Sequence, residues 1–268
     1  EIPRSDWSSD VCSSDLVGDM ENLDRLKDIV NFINKKKRIT TKELSEKFGV
    51  TEQTVRSDLA LLEREHKIIR VHGGAKAIDT DISFDERLEE NVPEKRRLGE
   101  YAASLVEEGD IIFLDGGTSM MYLIDALPKE IHLRIITASL PIADKCSQLI
   151  NADIYCLGGM LNKRTKEMYG PRAVADAETL MANKAFIGVS GFSVEDQFTE
   201  NNVLSLDVKS KILNSTKQKI VVADSKKENR IGIQRAFTFS DFELFITGKK
   251  VSSKFISEIR KHMEVIQK

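Results

Sequence analysis

The sequence has few cysteines and no long apolar run. Three of its 268 residues are cysteines, Cys12, Cys146 and Cys156, and their spacing gives no pairing pattern. This argues against a secreted protein built on disulfides, so a reducing cytoplasm is the expected compartment. Neither a CxxC motif nor a paired-histidine motif occurs, and we expect no metal site and no cofactor. No apolar run approaches the roughly 18 residues of a membrane helix, so no membrane partner is expected.

Charge is divided unevenly along the chain. The length suffices for two domains, and a content of 41% hydrophobic and 31% charged residues is typical of globular proteins. Residues 21–79 contain 13 Lys and Arg against 10 Asp and Glu, whereas residues 80–268 contain 26 against 28. A mildly basic small domain is compatible with nucleic-acid binding, although a difference of this size also arises by chance.

The first residues differ from the rest of the chain. Residues 1–19 are rich in Ser and Asp, lack periodicity, and lack the basic and apolar regions of a signal peptide. The run from Asp6 to Leu16, DWSSDVCSSDL, resembles the conceptual translation of a sequencing-library adapter. We therefore expect residues 1–19 to be a non-native leader that precedes a start at Met20. A natural tail is the alternative.

Residues 20–78 are predicted to form a winged helix-turn-helix domain. An apolar stripe from Leu23 to Ile33 predicts a first helix, which the basic run 35–38 would end. Thr40 and Glu43 have the spacing of a capping box, Gly49 supplies a turn, and Thr51 would cap a helix over 52–64. Strands at 66–71 and 75–78, with a turn at 72–74, predict the wing. A three-helix module for protein interaction is the alternative.

This arrangement predicts which residues contact DNA. The second helix of such a motif enters the major groove with its N-terminal residues at the base edges. Gln can bind adenine and Arg can bind guanine through paired hydrogen bonds, while hydroxyl groups and the helix N-terminus can contact phosphate. The expected partner is double-stranded operator DNA, and the expected contacts are Thr51, Glu52, Gln53, Thr54, Arg56 and Ser57 in the helix and Arg70, His72 and Lys76 in the wing.

The remainder of the chain is predicted to be an α/β domain. Residues 79–93 are polar and acidic and are predicted to be a linker, which Phe84 and Arg87 could dock. In residues 94–268, short apolar runs alternate with helical segments, as in a Rossmann-like fold with a buried parallel sheet. The predicted strands are 111–114, 133–137, 154–157, 185–189, 219–223 and 244–247, and the predicted helices lie near 94–108, 119–127, 140–150, 173–182 and 204–216.

A glycine-rich loop follows the first of these strands. In Asp115-Gly116-Gly117-Thr118-Ser119, backbone N–H groups and hydroxyl groups would hold a phosphate at the start of a helix. The loop lacks the G-K-[ST] ending of a P-loop and the GxGxxG dinucleotide motif, and a simple turn with an N-cap is the alternative. Ligands of such sheets bind beyond the carboxyl ends of the strands. Further candidates for the site are Thr137, Ser139, Gly158, Gly159, Lys209, Asp224 and Lys226.

The motifs together resemble the DeoR family of bacterial regulators. TVRSDL at 54–59, LE at 62–63 and RVHGGA at 70–75 are similar to the family's DNA-binding signature, with Ser57 in place of a second Arg. DGGTS at 115–119, TAS at 137–139, GG at 158–159, FIG at 186–188 and DSK at 224–226 are similar to its sensor-domain motifs. Ala138 replaces an Asn, and the loop 194–199 lacks a Gly.

The resemblance implies a fold and a function. The fold would be α/β, with a winged helix-turn-helix followed by an effector domain at 94–268 that resembles the ribose-phosphate isomerase fold. The function would be repression of a carbohydrate-metabolism operon under the control of a phosphorylated sugar. The resemblance also implies a homo-oligomer, either a dimer or a tetramer.

Two other functions are compatible with parts of the sequence. A sugar-phosphate isomerase with an appended DNA-binding domain would need a carboxylate base and a cation, for which Glu195, Asp196 or Glu200 with Lys209 or Lys226 could serve. However, the acidic loop of the isomerases is absent, so we expect no catalytic residue and no enzyme activity. A DNA-architectural protein without a sensor would leave the loops at 115–119 and 224–226 unexplained.

Overall fold

The computed structural model describes residues 13–36, 38–65, 67–71, 73–77 and 83–268, and side chains in the first helix only from residue 24 onward. The chain divides into two compact units, Glu1–Ile78 and Asp79–Lys268. Most of the predicted leader lies outside the described residues, so its origin stays a prediction. Within the described part of the chain, no helix is long and apolar enough to cross a membrane.

The first unit is a winged helix-turn-helix. Its elements are α1 (Ser13–Lys36), β1 (Arg38–Thr40), α2 (Thr41–Phe48), α3 (Glu52–Arg64), β2 (Ile68–Val71) and β3 (Gly74–Ala77). The described strands form an antiparallel sheet in the order β1-β3-β2. Strand β1 was not predicted, because the basic run at 35–38 indicated only the end of a helix. The core consists of Leu26, Ile29, Ile33, Ile39, Leu44, Val55, Leu59, Leu62, Ile68 and Ala75.

Local signals in the sequence explain where these helices begin and end. The N–H of Glu43 donates to Thr40 Oγ1 at 3.2 Å, and the N–H of Thr40 donates back to Glu43 Oε2 at 2.9 Å. Gly49 has φ +66°, a left-handed conformation that glycine adopts at little cost. Thr51 Oγ1 accepts from the N–H of Thr54 at 3.1 Å. The predicted capping box, glycine turn and N-cap are therefore confirmed.

The second unit alternates helices and strands. Its elements are α4 (Phe84–Glu89), α5 (Val92–Ala103), β4 (Ile111–Leu114), α6 (Ser119–Ala126), β5 (Leu133–Thr137), α7 (Leu140–Cys146), β6 (Ala152–Cys156), β7 (Met160–Asn162), β8 (Glu167–Tyr169), α8 (Pro171–Thr179), β9 (Ala182–Ile187), β10 (Gly191–Ser193), β11 (Gln197–Glu200), α9 (Val203–Asn214), β12 (Thr216–Ala223), β13 (Gln234–Phe237), β14 (Leu244–Thr247), α10 (Ser253–Ile259) and β15 (Glu264–Gln267). Single 3₁₀ turns occupy Ser225–Lys227 and Phe239–Asp241.

A parallel sheet organises this unit. In the described part of the chain, seven strands pair in the order β15-β14-β12-β9-β4-β5-β6. From β4 the chain builds outward through β5 and β6, then returns to β9 and builds outward through β12, β14 and β15. The order of strands thus reverses between β4 and β9, the place where such sheets leave a crevice for ligands. The predicted α/β fold class is confirmed.

Helices cover both faces of the sheet. On one face α5, α6 and α7 bury residues such as Leu98, Leu123 and Ile142 against the strands. On the other face α8, α9 and α10 do the same with Ala177, Ile212 and other residues. Because the strands are buried on both faces, they appear in the sequence as short, largely apolar runs, and this is why most of them could be predicted.

Residues 83–93 are part of the second unit and do not form the irregular linker that their polar composition predicted. Ser83 and Glu86 form a capping box that begins α4. Phe84 is buried, and its N–H donates to the carbonyl oxygen of Arg164 at 3.0 Å. Lys166 Nζ lies 2.6 Å from Asp85 Oδ1. The signal S-x-x-E that begins α4 was present in the sequence but was not recognised.

Two small antiparallel arrangements sit beside the main sheet. Strands β7 and β8 form a hairpin, and β10, β11 and β13 form a second sheet. Each strand has only three or four residues, and several are polar. Runs this short carry too little periodicity to be predicted from the sequence. The hairpin matters for the site, because it carries Glu167.

Candidate functional site

The N-terminal half of α3 presents the residues that were predicted to contact DNA. Of this set, Thr51, Glu52, Gln53, Arg56 and Ser57 are exposed and Thr54 is half-buried. Arg56 Nη2 lies 3.5 Å from Glu52 Oε2, and both side chains are exposed. Such a surface pair contributes little stability, so Arg56 can exchange this partner for a base edge at low cost.

Asp58, in the same sequence motif, has a structural role. Arg25 Nε and Nη2 donate to the two carboxylate oxygens of Asp58 at 3.0 and 3.2 Å. The Asp58 side chain is 8% exposed, and the paired geometry is the strong form of a charge-assisted hydrogen bond. Asp58 therefore fastens α3 to α1, a function that its place among the DNA-contacting residues did not suggest.

The backbone conformation and the close packing of the wing explain its two glycines. Gly73 has φ +76°, and a Cβ on Gly74 would lie 2.1 Å from the carbonyl oxygen of Ile39 in β1. Arg70 is exposed, and its Nη1 lies 3.7 Å from Glu63 Oε2. Lys76 is part of β3, but its side chain and all of His72 lie outside the described residues. The DNA contacts of the wing stay predictions.

The second unit contains a cleft at the reversal of strand order. It lies beyond the carboxyl ends of β4, β9 and β12, and its space, counted together with the open solvent at its mouth, amounts to about 720 Å³. Its lining comes from many separate segments of the chain. The lining residues are Arg87, Glu90, Lys95, Asp115, Gly116, Gly117, Thr118, Thr165, Glu167, Gly188, Val189, Ser190, Glu200, Asn201, Asn202, Lys209, Asp224, Lys227 and Arg230.

A buried ion cluster lies along one side of the cleft. Lys209 Nζ is 3.0 Å from Asp115 Oδ2 and 2.8 Å from Glu200 Oε2. Burial alone would lower the pKa of Lys209, but the neighbouring carboxylates outweigh it and raise the pKa. Burial opposes ionisation of Glu200 as well, yet Lys209 and the hydroxyl of Ser190 hold the pKa of Glu200 below its ordinary value. Lys209 and Glu200 therefore each stabilise the charged form of the other.

Glu167 adds a different kind of carboxyl group to this side. Burial raises the pKa of Glu167, and the nearby charge of Asp115 raises it further. Asn202 Nδ2 donates to Glu167 Oε2 at 2.7 Å. A Cβ on Gly116 would lie 2.1 Å from Glu167 Oε1, so the glycine makes room for this side chain. A carboxyl group can hydrogen-bond to ligand hydroxyl groups in either protonation state.

Three basic residues, Arg87, Lys95 and Lys227, also line the cleft. Burial lowers the pKa of Lys95 to about 8, and the charge of Lys227 contributes. The pKa of Lys227 is also lowered, mainly by burial. Lys227 Nζ donates to the carbonyl oxygen of Val189 at 2.5 Å, and Arg87 Nε is buried without a hydrogen-bond partner among the described residues. Within that part of the chain, none of these three cations has a carboxylate at salt-bridge distance, an arrangement that favours an anionic ligand.

Asp224 lies close to these basic groups. Asn91 Nδ2 donates to Asp224 Oδ1 at 3.0 Å. Burial opposes ionisation of Asp224, but Lys227 and this hydrogen bond hold the pKa below its ordinary value. The Asp224 carboxylate partly offsets the charges of Arg87, Lys95 and Lys227. These three residues together keep an excess of positive charge.

Half of the residues predicted for the effector site line the cleft. They are Asp115, Gly116, Gly117, Thr118, Lys209 and Asp224. Ser119, Thr137 and Ser139 are buried away from it, because the first lies inside the start of α6 and the other two pack where β5 meets the hairpin. The roles of all of these residues in binding stay predictions.

The remaining predicted residues lie elsewhere for clear reasons. Gly158 and Gly159 form the turn after β6, where a Cβ on Gly159 would lie 2.6 Å from the carbonyl oxygen of Tyr169. Lys226 is exposed and does not line the cleft, whereas Lys227 does. The 3₁₀ turn at Ser225–Lys227 causes this exchange, since successive residues of such a turn point about 120° apart.

Several lining residues were not recognised as site residues in the sequence. Arg87 was assigned only to docking, and Lys95, Glu167, Asn202 and Lys227 were assigned nothing. Lys227 could have been found, because DSKK allows either lysine to follow the strand end. Glu167 had no signal, since only the fold of the hairpin brings it beside Asp115. Of the carboxylates considered for an isomerase, Asp196 lies outside the cleft and pairs with Arg235 at 2.8 Å.

Comparison with known proteins agrees with this division of the chain. Residues 25–81 match the family described as DeoR-like helix-turn-helix domain, and residues 90–249 match the DeoR C terminal sensor domain. The uncharacterized HTH-type transcriptional regulator YulB of Bacillus subtilis is 35% identical over 84% of this chain and 88% of its own length. The HTH-type transcriptional repressor GlcR of the same organism is 32% identical over 87% and 90%.

More distant proteins align as well. The L-fucose operon activator of Escherichia coli is 28% identical over 77% of this chain and 87% of its own length. Among solved structures, ribose 5-phosphate isomerase A from Neisseria gonorrhoeae aligns over 55% of each chain, with 17% identity and a TM-score of 0.37. The two domain matches and the two Bacillus relatives show that the chain belongs to the DeoR family of DNA-binding transcriptional regulators.

Proposed function

We propose that the protein represses a carbohydrate-metabolism operon and that a phosphorylated sugar in the cleft controls its affinity for operator DNA. The observation that carries the proposal is the pairing of two chemistries in one cleft. Arg87, Lys95 and Lys227 suit a phosphate dianion, while Glu167 and Asn202 suit hydroxyl groups. A sugar phosphate carries both kinds of group on one small molecule.

The relatives support the direction of control. GlcR is named a repressor and is 32% identical to this chain, whereas the L-fucose operon activator is 28% identical. We therefore infer repression. We also infer that the chain acts as a homo-oligomer, a dimer or a tetramer, because paired recognition helices read paired half-sites on DNA.

Control by the ligand requires that it bind two states of the protein with different affinity. A sugar phosphate that binds more tightly to the state with low DNA affinity shifts the population toward that state and releases the operator. A tenfold loss of DNA affinity corresponds to about 1.4 kcal/mol of coupling free energy. A few additional hydrogen bonds to one phosphate can supply this amount.

The test begins with the DNA. Duplexes that the full-length protein selects from a random pool identify the operator, and Arg56→Ala should weaken binding to it, whereas Arg97→Ala, an exposed arginine of the second unit, should not. Fluorescence anisotropy then measures operator affinity with hexose and pentose phosphates, each compared with its unphosphorylated sugar. We expect at least one sugar phosphate to lower the affinity about tenfold or more.

A matched pair of variants ties the response to the cleft. Lys227→Met removes a lining cation, while Lys226→Met removes the exposed neighbour on the same turn. The first should abolish the response to the sugar phosphate, and the second should preserve it. A panel in which no phosphorylated sugar changes operator affinity would refute the sensor proposal. A rise in affinity would refute repression relieved by ligand and indicate activation or co-repression.

A further inference from the structure

Helix α4 forms part of the wall of the cleft. It is the first described element of the second unit, and residues 78–82 join it to β3 of the first unit. Phe84 anchors it as a buried side chain, and the Lys166–Asp85 ion pair holds its outer side. Tyr122 Oη also donates to the carbonyl oxygen of Leu88 at 3.3 Å. The first described helix of the second unit therefore packs beside the cleft.

Arg87 is the residue of α4 that enters the cleft. Its side chain lines the cavity, and its Nε is buried without a hydrogen-bond partner among the described residues. A buried donor without a partner is costly, so a guanidinium in this position favours a ligand that accepts hydrogen bonds. Arg87, Lys227 and Glu167 line the same cleft, and the charge of Arg87 lowers the pKa of both other groups.

The carbonyl oxygen of Arg87 accepts hydrogen bonds from the glycine-rich loop at 115–119 and from Lys95. Thr118 Oγ1 donates to the carbonyl oxygen of Arg87 at 3.4 Å, and Lys95 Nζ donates to that oxygen as well. Both donors line the cleft. An anion beside these two donors is a stronger acceptor than a carbonyl group. Its binding therefore changes the hydrogen bonds of the Arg87 carbonyl oxygen as well as those of the Arg87 guanidinium.

We propose that Arg87 binds the anionic group of the effector, so that ligand occupancy acts directly on α4, the first described helix of the second unit. This inference rests on the proposed function, because it takes the cleft to be the sensor site. The inference adds a ligand contact from α4 to those that the glycine-rich loop at 115–119 and the strand ends would make. It also makes α4, rather than the parallel sheet, the element on which the ligand acts first.

Inorganic phosphate is the probe, because it carries the recognised group without assuming which sugar is bound. Full-length wild-type protein, Arg87→Met, Arg87→Lys and Arg97→Met are titrated with potassium phosphate at pH 7.5, with potassium chloride matching the ionic strength. Arg97 is an exposed arginine on α5 outside the cleft, which makes it the matched control. Circular dichroism and thermal unfolding establish that each variant is folded.

We expect wild-type protein and Arg97→Met to bind phosphate alike, Arg87→Met to bind about tenfold or more weakly, and Arg87→Lys to lie between them. Hydrogen exchange followed by mass spectrometry gives the second readout. Phosphate should slow exchange at residues 84–90 in wild-type protein and not in Arg87→Met, because the bound anion tethers the helix. Arg87→Lys keeps the inference testable even where the methionine variant fails to fold.

The outcomes separate the two proposals. Equal phosphate affinity in wild-type protein and in a folded Arg87 variant overturns the inference and leaves the proposed function standing. A second outcome is that Arg87→Met binds phosphate more weakly, but phosphate leaves hydrogen exchange at residues 84–90 of wild-type protein unchanged or makes it faster. This outcome overturns the proposed effect of the ligand on α4. Absence of phosphate binding in wild-type protein overturns the phosphate-sensing part of the proposed function, and the inference with it.

Discussion

Replacement of Lys209 with methionine tests whether the buried ion cluster holds the floor of the cleft together. In wild-type protein Lys209 Nζ lies within 3.0 Å of both Asp115 and Glu200, and all three side chains are at most 7% exposed. Methionine preserves most of the volume but leaves two buried carboxylates without their cation. Loss of one partner from a buried ion pair costs about 3–5 kcal/mol, and we expect the free energy of unfolding to fall by that amount.

The control is on the same helix. Lys211 pairs with Glu178 at 2.5 Å, but its side chain is 40% exposed and that of Glu178 is 51% exposed. An exposed pair contributes about 0–1 kcal/mol, so Lys211→Met should change stability by no more than that. Urea unfolding of the full chain, followed by circular dichroism at 222 nm, measures both variants. Hydrogen exchange of α9 and β12 assigns the loss to the second unit.

The pH dependence of the loss gives a second check. Without Lys209, only the hydrogen bonds from Ser190 and Asn201 oppose the effect of burial on Glu200, so the pKa of Glu200 in the folded variant should rise above its unfolded value. A carboxyl group of this kind binds more protons in the folded than in the unfolded state, and stability then falls as pH rises. The deficit of Lys209→Met should therefore be smaller at pH 5 than at pH 8. A loss below about 1 kcal/mol, or one that equals the Lys211→Met value at every pH, would refute the reasoning.

Three further predictions concern other parts of the molecule. Phosphate affinity should fall as pH rises through about 8 in wild-type protein, because Lys95 loses its proton there. Calorimetry should show no such step in Lys95→Met. Gly116→Ala should weaken ligand binding and cost about 1–3 kcal/mol in urea unfolding, since its Cβ would displace the Glu167 carboxyl group; no loss in either measurement would contradict the steric argument. Arg25→Met should lower the stability of the DNA-binding unit by about 1–3 kcal/mol by leaving Asp58 without its partner, and an unchanged thermal transition would speak against that role.

Much of the fold could be predicted because it depends on local chemistry. The capping box at Thr40, the turn at Gly49 and the N-cap at Thr51 each involve residues a few positions apart. Strands β4, β5 and β14 have the predicted bounds, because a strand buried on both faces must be a short apolar run between turns. The position of the cleft followed as well, since parallel sheets bind ligands where the strand order reverses.

The composition of the cleft was predicted less completely. The glycine loop at 115–118 was found, because glycines and hydroxyls after a strand indicate an anion site in a single stretch of sequence. Glu167 comes from a short hairpin, and Arg87 comes from a helix that looked like a linker. Nothing within either segment indicates a ligand, because only tertiary packing brings them to the loop. The choice between Lys226 and Lys227 depended on the phase of one 3₁₀ turn, which the residue pattern does not fix.

The hairpin of β7 and β8 has a consequence for how such a sensor can diversify. It reaches from the edge strand β6 toward the centre of the sheet and delivers Glu167 into the cleft, while the loops after β4 and β12 line the cleft with residues 115–118 and with Asp224 and Lys227. Under the proposed function, a transplant of residues 160–169 from a relative would change the carboxyl side of the cleft, together with the contacts that Arg164 and Lys166 make to α4. Under the proposed function, separate segments of the chain would therefore recognise the phosphate and the sugar.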